Sequence, residues 1–137
     1  MTPKFYLTTA IDYVNGKPHL GHAYEKIAAD VIARYKRRMG FDVHFLTGLD
    51  EHGLKVARTA EAEGKTPQAF VDELATHFIE TYRTLDISYD DFIRTSEGRH
   101  HRGVVAMMER VREQNPDDLY EGSYEGWYCV GCEGYKT

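Results

Sequence analysis

Two histidines three residues apart flank a glycine in the stretch Lys17–Asp30, KPHLGHAYEKIAAD. Imidazoles can bind a metal, relay protons or donate hydrogen bonds to phosphate oxygens. His19 and His22 lack the His-Glu-x-x-His pattern and supply two zinc ligands at best. At a helix start, backbone N–H groups and the helix dipole favour an anion, and Gly21 lets a ligand approach the backbone. A phosphate site is therefore favoured over zinc, and ordinary surface histidines remain the alternative.

A second polar segment, Leu46–Gly53 (LTGLDEHG), follows a predicted strand and carries Asp50, Glu51 and His52 between two glycines. A carboxylate there could hold a ribose hydroxyl or a substrate ammonium, and a buried carboxylate needs such a partner. Taken alone, the segment is typical of a solvated turn. Because ligands of a parallel sheet bind at the carboxyl ends of its strands, we expect both segments to line one site.

Cys129 and Cys132 are the only cysteines. Their Cys-x-x-Cys spacing supplies two thiolates, which is half of a tetrahedral zinc knuckle, and no second Cys or His pair follows. A redox pair and two plain buried thiols are the alternatives. The sequence therefore predicts a metal half-site at most in these residues.

The elements that must position these groups alternate between strands and helices. KFYLTTA and FDVHFLT have strand patterns, and an apolar helical repeat lies between them and ends near Gly40. A helix over residues 54–63 follows, then a helix capped by Thr66 and Pro67, a strand in DDFIRT and a last helix before NPDD. These patterns predict an α/β fold with a Rossmann-like parallel sheet.

Composition limits the class of protein. The chain has 137 residues, 42% apolar and 28% charged, with a net charge of −5, which suits one globular domain and argues against a basic nucleic-acid-binding domain. No apolar run approaches the roughly 18 residues of a membrane span, and no signal peptide precedes the first strand, so we expect a cytoplasmic protein without membrane contact. From Leu119 the chain becomes rich in glycine and aromatic residues and lacks a helical repeat, which predicts a hairpin or knuckle there.

Four segments, in order along the chain, resemble the N-terminal part of methionyl-tRNA synthetases: TTAIDYVNGKPHLGHAYEKIAADVIARY, FLTGLDEHGLKVA, ISYDDFIRT and LYEGSYEGWYCVGCE. His-Leu-Gly-His matches the HIGH signature of class I aminoacyl-tRNA synthetases, although related nucleotidyltransferases also carry His-x-Gly-His. The resemblance implies that residues 1–115 form the first half of a class I catalytic domain. It implies that residues 116–137 begin a truncated, zinc-knuckle-like connective insertion.

The resemblance also implies an activity, methionine–tRNA ligation. ATP, with Mg²⁺, would activate L-methionine as methionyl adenylate for transfer to tRNA(Met), which parts outside these residues would mostly bind. His19 and His22 would bind ATP phosphates and stabilise the transition state at the α-phosphate. Further ATP contacts would come from Asn15, Lys17, Leu20, Gly21 and Glu25. Methionine contacts would come from Ala10, Ile11, Tyr13 and Asp50. Zinc at Cys129 and Cys132 in a full-length protein stays open.

Two positions depart from the family pattern. Position 12 usually holds Tyr or Pro, and this chain has Asp12, whose charge would either face solvent or perturb the methionine pocket. Position 49 is commonly Thr and is Leu49 here. Neither departure removes a residue to which the resemblance gives a catalytic role.

The family's second signature, a Lys-Met-Ser-Lys-Ser loop, and its anticodon-binding domain have no counterpart in these residues. We therefore expect the 137-residue chain alone to be inactive or nearly so. Methionine-dependent ATP–pyrophosphate exchange by the purified chain would contradict this expectation. Three alternatives remain: a small nucleotidyltransferase of the HIGH superfamily, a non-catalytic binding module derived from a synthetase, and a fragment with no function of its own.

Overall fold

The computed structural model describes residues 2–136, and the predicted α/β fold is confirmed. The elements are β1 (Lys4–Thr8), β2 (Asp12–Tyr13), α1 (Leu20–Arg38), β3 (Asp42–Asp50), α2 (Leu54–Ala62), α3 (Pro67–Thr84), β4 (Asp91–Arg94), α4 (Gly98–Gln114), a 3-10 turn (Pro116–Asp118), β5 (Trp127–Cys129) and β6 (Gly134–Lys136). Each predicted helix and strand is present, and β2 is an addition inside a stretch that the sequence indicates as a loop. The chain divides after Thr95 into two compact units.

The sheet of the first unit is parallel and has β3 at its centre. β1, β2 and β4 each pair with β3 in parallel register. The carbonyls of Leu46 and Asp50 accept hydrogen bonds from the β1–β2 side, whereas those of Phe45 and Leu49 accept from the β4 side. Alternate carbonyls of a strand point to opposite flanks, so β1 and β2 act as one interrupted strand. Residues 9–11 bridge the interruption beside the carboxyl end of β3.

Local signals explain where the helices begin and end. The Thr66 hydroxyl accepts a hydrogen bond from the Ala69 N–H at 3.2 Å, and Pro67 occupies the first position of α3. Gly40 takes a φ of 83° just beyond α1, and Gly53 takes a φ of 121° just before α2. Such angles favour glycine, which explains why the chain can turn at these two points.

The helix α1 packs through a different face from the one that its apolar repeat suggests. Tyr24, Ile27, Val31, Ile32 and Tyr35 are exposed. The buried side carries Ala29 and Ala33, whose small side chains let the helix approach the sheet, together with the charged Lys26 and Asp30. These buried charges are paired, Asp30 with Ser88 and Arg34, and Lys26 with Asp12. The core itself is built mainly from α3, and α1, β3 and α2 contribute smaller shares.

The second unit is described by itself. Its helix α4 has no buried residue. β5 and β6 form an antiparallel hairpin, as the composition from Leu119 onward predicts, and the Tyr135 ring packs against Tyr124 and Tyr128. Within residues 2–136, none of the helices combines the length and the apolar character that crossing a bilayer requires.

Candidate functional site

The His-Leu-Gly-His segment forms the N-terminus of α1. His19 is the N-cap residue, and its Nδ1 accepts the Gly21 N–H at 3.1 Å. In return, Nδ1 of His22 accepts the His19 N–H at 3.2 Å. The two rings stack with centroids 3.8 Å apart. The spacing of three therefore serves a reciprocal cap that ties both imidazoles to the first turn of the helix.

The cap also fixes the tautomer of both rings. An Nδ1 atom that accepts a backbone N–H carries no proton, so the neutral imidazole holds its proton on Nε2. Each of His19 and His22 therefore presents one Nε2–H donor at the helix N-terminus. Burial lowers the pKa of His22 below its ordinary value, against an opposing effect of the Asp12 charge and with further lowering by His19 and Lys26. A neutral His22 is consistent with the hydrogen bond that its Nδ1 accepts.

Gly21 has a local reason to lack a side chain. A Cβ at this position would lie 3.0 Å from Cε1 and 3.1 Å from Nδ1 of His19. Few real Cβ contacts are that short, so the glycine makes room for the capping ring. The sequence suggests instead that Gly21 admits a ligand, and both uses require the same missing side chain.

The carboxyl end of β3 supplies the second predicted segment. Asp50 is half-buried, and its carboxylate makes no hydrogen bond or ion pair with any of residues 2–136. Glu51 is buried and paired with Arg94 at 2.6 Å, and its N–H donates to the Thr95 hydroxyl at 2.8 Å. The three neighbouring polar residues therefore differ: Glu51 and His52 anchor the loop to the end of β4, and Asp50 is open to a ligand.

The loop before β2 lies beside both segments. Tyr13 is the register partner of Asp50, and the Val14 N–H donates to the Asp50 carbonyl at 3.0 Å. Ile11 is 40% exposed, and Tyr13 packs partly against the core. Ala10 is linked through both of its backbone polar atoms to α1, the helix that carries the histidines. The loop Ala10–Tyr13 thus contacts both the carboxyl end of β3, which carries Asp50, and the helix α1, which carries His19 and His22.

A buried polar network lies under this loop, and the sequence does not predict it. The Lys26 ammonium, fully buried, donates to the Ala10 carbonyl at 2.9 Å, to Asp12 at 2.9 Å and to Glu25 at 2.8 Å. The Tyr82 hydroxyl of α3 donates to the other oxygen of Asp12. We call Asp12, Glu25, Lys26 and Tyr82 the Lys26 network. Burial and the Asp12 carboxylate raise the pKa of Tyr82, so the phenol stays protonated as a donor.

The Lys26 network accommodates the charge of Asp12, the residue that departs from the family pattern at position 12. The side chain neither faces solvent nor stands as an unpaired charge, because it is 5% exposed and bonded to a cation and a phenol. The Glu25 carboxylate is also hydrogen-bonded: its Oε1 accepts the Ala10 N–H at 3.0 Å. Burial opposes ionisation of Glu25, but hydrogen bonds from Lys26 and Ala10 hold its pKa below the usual range. Leu49, the other departure, is a fully buried core residue.

Two further predicted ATP contacts lie on the loop that leads into α1. Asn15 and Lys17 are both exposed. Lys17 lines an open pocket of about 430 Å³ against α3, together with Pro18, His77, Glu80, Thr81, Thr84 and Leu85. No bond joins Asn15 or Lys17 to another side chain among residues 2–136. The structure therefore leaves both side chains available without assigning them a ligand.

The cysteine pair lies in the second unit, at the turn of the β5–β6 hairpin. The two Sγ atoms are 2.9 Å apart, and both thiols are free of a disulfide. In the part of the chain that the structure describes, no group of three or more His, Cys, Asp or Glu side chains is arranged to hold a metal. Cys129 and Cys132 therefore offer two zinc ligands, and these residues do not complete a tetrahedral site.

Comparison with known proteins gives consistent matches. The family described as tRNA synthetases class I (M) matches residues 5–137. The methionine–tRNA ligase of Fusobacterium nucleatum is 51% identical over 135 residues, which cover 98% of this chain and 21% of the relative. The enzyme of the same name from Thermotoga maritima is 52% identical over 132 residues, covering 96% of this chain and 21% of the relative. The chain thus spans about a fifth of the length of these curated relatives.

Solved structures agree with the sequence matches. Mycobacterium tuberculosis methionyl-tRNA synthetase in complex with methionyl-adenylate superposes with a TM-score of 0.91 at 46% identity, covering 99% of this chain and 26% of that chain. A second structure, of the M. tuberculosis enzyme bound by Met-AMP, gives the same TM-score at 45% identity. The chain therefore belongs to the methionyl-tRNA synthetase family of class I and corresponds to the part of its catalytic domain that contains the HIGH signature.

Proposed function

We propose that this chain contributes the part of the catalytic domain of a methionine–tRNA ligase that carries the HIGH signature and binds methionine and ATP. The observation that carries the proposal is the reciprocal cap of His19 and His22, which fixes two Nε2–H donors at the N-terminus of α1. The same helix holds Ala10, and the chain leads from there to Tyr13, the register partner of Asp50, whose carboxylate makes no bond within residues 2–136. The likeness to a synthetase in complex with methionyl-adenylate supports the same substrates. The substrates are L-methionine and ATP, which enters as its Mg²⁺ complex, and the acceptor is tRNA(Met).

The proposed reaction has two steps, formation of methionyl adenylate and transfer of the methionyl group to tRNA. A carboxylate oxygen of methionine attacks the α-phosphorus of ATP, a new P–O bond forms, and the bond to pyrophosphate breaks. A ribose hydroxyl at the 3′ end of tRNA then attacks the methionyl carbonyl, and AMP leaves. His19 and His22 donate hydrogen bonds to phosphate oxygens on which charge grows in the first step. They act as fixed hydrogen-bond donors rather than as nucleophiles or bases, because their Nδ1 atoms are occupied by the cap.

Other residues surround these two donors. Leu20 and Gly21 bring the helix backbone to the nucleotide, and Asn15 and Lys17 extend the ATP site from the preceding loop. Glu25 is assigned to the same site by family position, while its observed bonds go to Ala10 and Lys26. Ala10, Ile11 and Tyr13 shape the methionine pocket, and Asp50 binds the amino group of methionine.

Asp50 gives a direct test of the amino-acid site. Asp50→Asn removes the charge but keeps the shape, so we expect methionine KM to rise about 10- to 100-fold, the cost of losing a charge-assisted hydrogen bond. ATP KM should stay within about threefold, since the amide does not reach the nucleotide. Steady-state ATP–pyrophosphate exchange measures both constants. Asp42→Asn, at the opposite end of β3 and exposed, is the matched control; an unchanged methionine KM in Asp50→Asn would remove Asp50 from the site.

The remaining assignments concern regions around this half-site. We propose a domain boundary near residue 115, which differs from the division into compact units after Thr95. We also propose a connective insertion that begins in residues 116–137, and action in the cytoplasm. Contacts with tRNA(Met) fall mostly outside these residues. Zinc at Cys129 and Cys132 stays a prediction for a full-length protein, which would have to supply the other ligands.

The experiment that tests the function uses a protein of the relatives' length that carries this sequence. We expect ATP–pyrophosphate exchange that depends on methionine and charging of tRNA(Met). Phosphorylated alcohols should support no exchange. Exchange with a phosphorylated alcohol but not with methionine would favour the small nucleotidyltransferase instead. Salt-dependent tRNA binding without exchange would favour the non-catalytic module.

A further inference from the structure

The Lys26 network joins the segment Ala10–Tyr13 to the helix α1, which carries His19 and His22. An ammonium group has three N–H donors, and Lys26 uses all three, on Ala10, Asp12 and Glu25. The acceptors are two carboxylates and one carbonyl, all within 2.9 Å of a side chain that is completely buried. A buried lysine with such complete pairing is a fixed tether rather than a mobile surface group.

The tether acts on the loop that is proposed to face methionine. The Ala10 peptide is held on both sides: its N–H donates to Glu25, and its carbonyl accepts from Lys26. Because Glu25 and Lys26 are consecutive residues of α1, the helix sets the position of residue 10 directly. Asp12 provides a second attachment two residues later.

The same network reaches the histidines. Tyr82, which donates to Asp12, packs its ring against Phe78 with centroids 6.2 Å apart. Phe78 in turn meets the edge of the His22 ring at 5.3 Å. Residues 10–13, the first turns of α1 and the inner side of α3 are therefore held by one connected set of contacts.

We propose that Lys26 is a positioning residue that keeps the loop Ala10–Tyr13 in its methionine-binding shape before the amino acid arrives. This proposal rests on the proposed function. Loss of Lys26 leaves the buried Asp12 carboxylate without the cation that it pairs with, whereas loss of the Asp12 charge still leaves Lys26 paired with Glu25. A loop that must first be ordered lowers apparent affinity, so the loss should appear in methionine KM.

Steady-state exchange in a protein of the relatives' length tests the pair. We expect Lys26→Met to raise methionine KM at least about tenfold, with ATP KM changed less than about threefold. Adding Asp12→Asn to Lys26→Met should recover at least about threefold of that loss, because the stranded carboxylate is gone. Tyr82→Phe, which keeps the ring and loses one hydrogen bond, should raise methionine KM about threefold to tenfold.

Two variants serve as matched controls. Lys65 also lies between two carboxylates, those of Glu63 and Glu73, at 2.9 and 2.7 Å, and Lys65→Met should leave both KM values unchanged. Tyr89 packs partly against the core with its ring beside Phe92, and Tyr89→Phe should also have no effect.

The possible results separate the two claims. Wild-type protein without methionine-dependent exchange overturns the proposed function and the role of Lys26 with it. Active wild type with equal rises in methionine and ATP KM, or with a lower melting temperature and unchanged KM values, overturns only the role of Lys26. If Lys26→Met does not fold, the changes in methionine KM and ATP KM are compared in Tyr82→Phe instead. This variant keeps the ion pair between Lys26 and Asp12 in place.

Discussion

In a protein of the relatives' length that carries this sequence, His22→Asn is expected to lower kcat for methionine-dependent ATP–pyrophosphate exchange by about 10²- to 10³-fold while methionine KM stays within about threefold. Asparagine can place its Oδ1 near the position of Nδ1 and keep accepting the His19 N–H. It has no group at the position of Nε2, so the donor that is proposed to bind the α-phosphate is lost. The expected loss therefore falls on the transition state rather than on the bound amino acid.

His22→Gln is the complementary variant. The glutamine amide nitrogen reaches the position of Nε2, but the acceptor for the helix cap is lost. We expect a smaller rate loss, about tenfold or less, with a stability cost of about 1 kcal/mol from the cap. His44→Asn is the control, because His44 is exposed in β3 and stacks on Tyr6. Equal losses of rate and methionine affinity in both His22 variants would show a general structural role instead.

Gly48→Ala is expected to be the most destabilising single methyl addition in the first unit. A Cβ at Gly48 would lie 2.0 Å from the carbonyl oxygen of Ile93, its register partner on β4, and 2.5 Å from the Ile93 side chain. Backbone cannot yield as a flexible side chain can, so β3 and β4 would have to separate and lose ladder hydrogen bonds. We expect a loss of about 3 kcal/mol or more in the free energy of unfolding.

Urea unfolding of the chain followed by circular dichroism measures this loss. Gly16→Ala is the matched control, because nothing lies within 4 Å of the added Cβ and no strained backbone is involved. We expect the Gly16 variant to stay within about 0.5 kcal/mol of the parent. A Gly48→Ala midpoint equal to that of Gly16→Ala would mean that β3 and β4 do not approach as closely as the structure has them.

Most of the helices and strands could be predicted from local sequence patterns. The cap at Thr66 and Pro67 and the stop at Gly40 use residues that are neighbours in sequence, so each could be predicted from a short window. The position of the histidines at the start of α1 follows from the same reasoning. The reciprocal cap between His19 and His22 also spans only three residues, but its geometry depends on ring orientations that a spacing does not specify.

Long-range pairing explains what could not be predicted. The apolar repeat of α1 does not indicate the face that packs within these residues, where Lys26 and Asp30 satisfy their charges with residues on other elements. Asp12 looks like an isolated charge in the sequence, and one of its partners, Tyr82, lies 70 residues away. Because the apolar repeat places Lys26 on the outer side of α1, no signal in the sequence indicated that this lysine needs a buried acid nearby.

Formation of protein-bound methionyl adenylate is the most direct test of the proposed function. A protein of the relatives' length with this sequence is mixed with methionine, Mg²⁺ and ATP labelled in its α-phosphate, and the protein-bound label is separated and identified. We predict about one equivalent of bound methionyl adenylate per site, formed only with methionine and released as AMP when tRNA(Met) is added, while His22→Asn forms it about 10²-fold more slowly. Labelled AMP bound without methionine, or label transferred to a phosphorylated alcohol, would contradict the account.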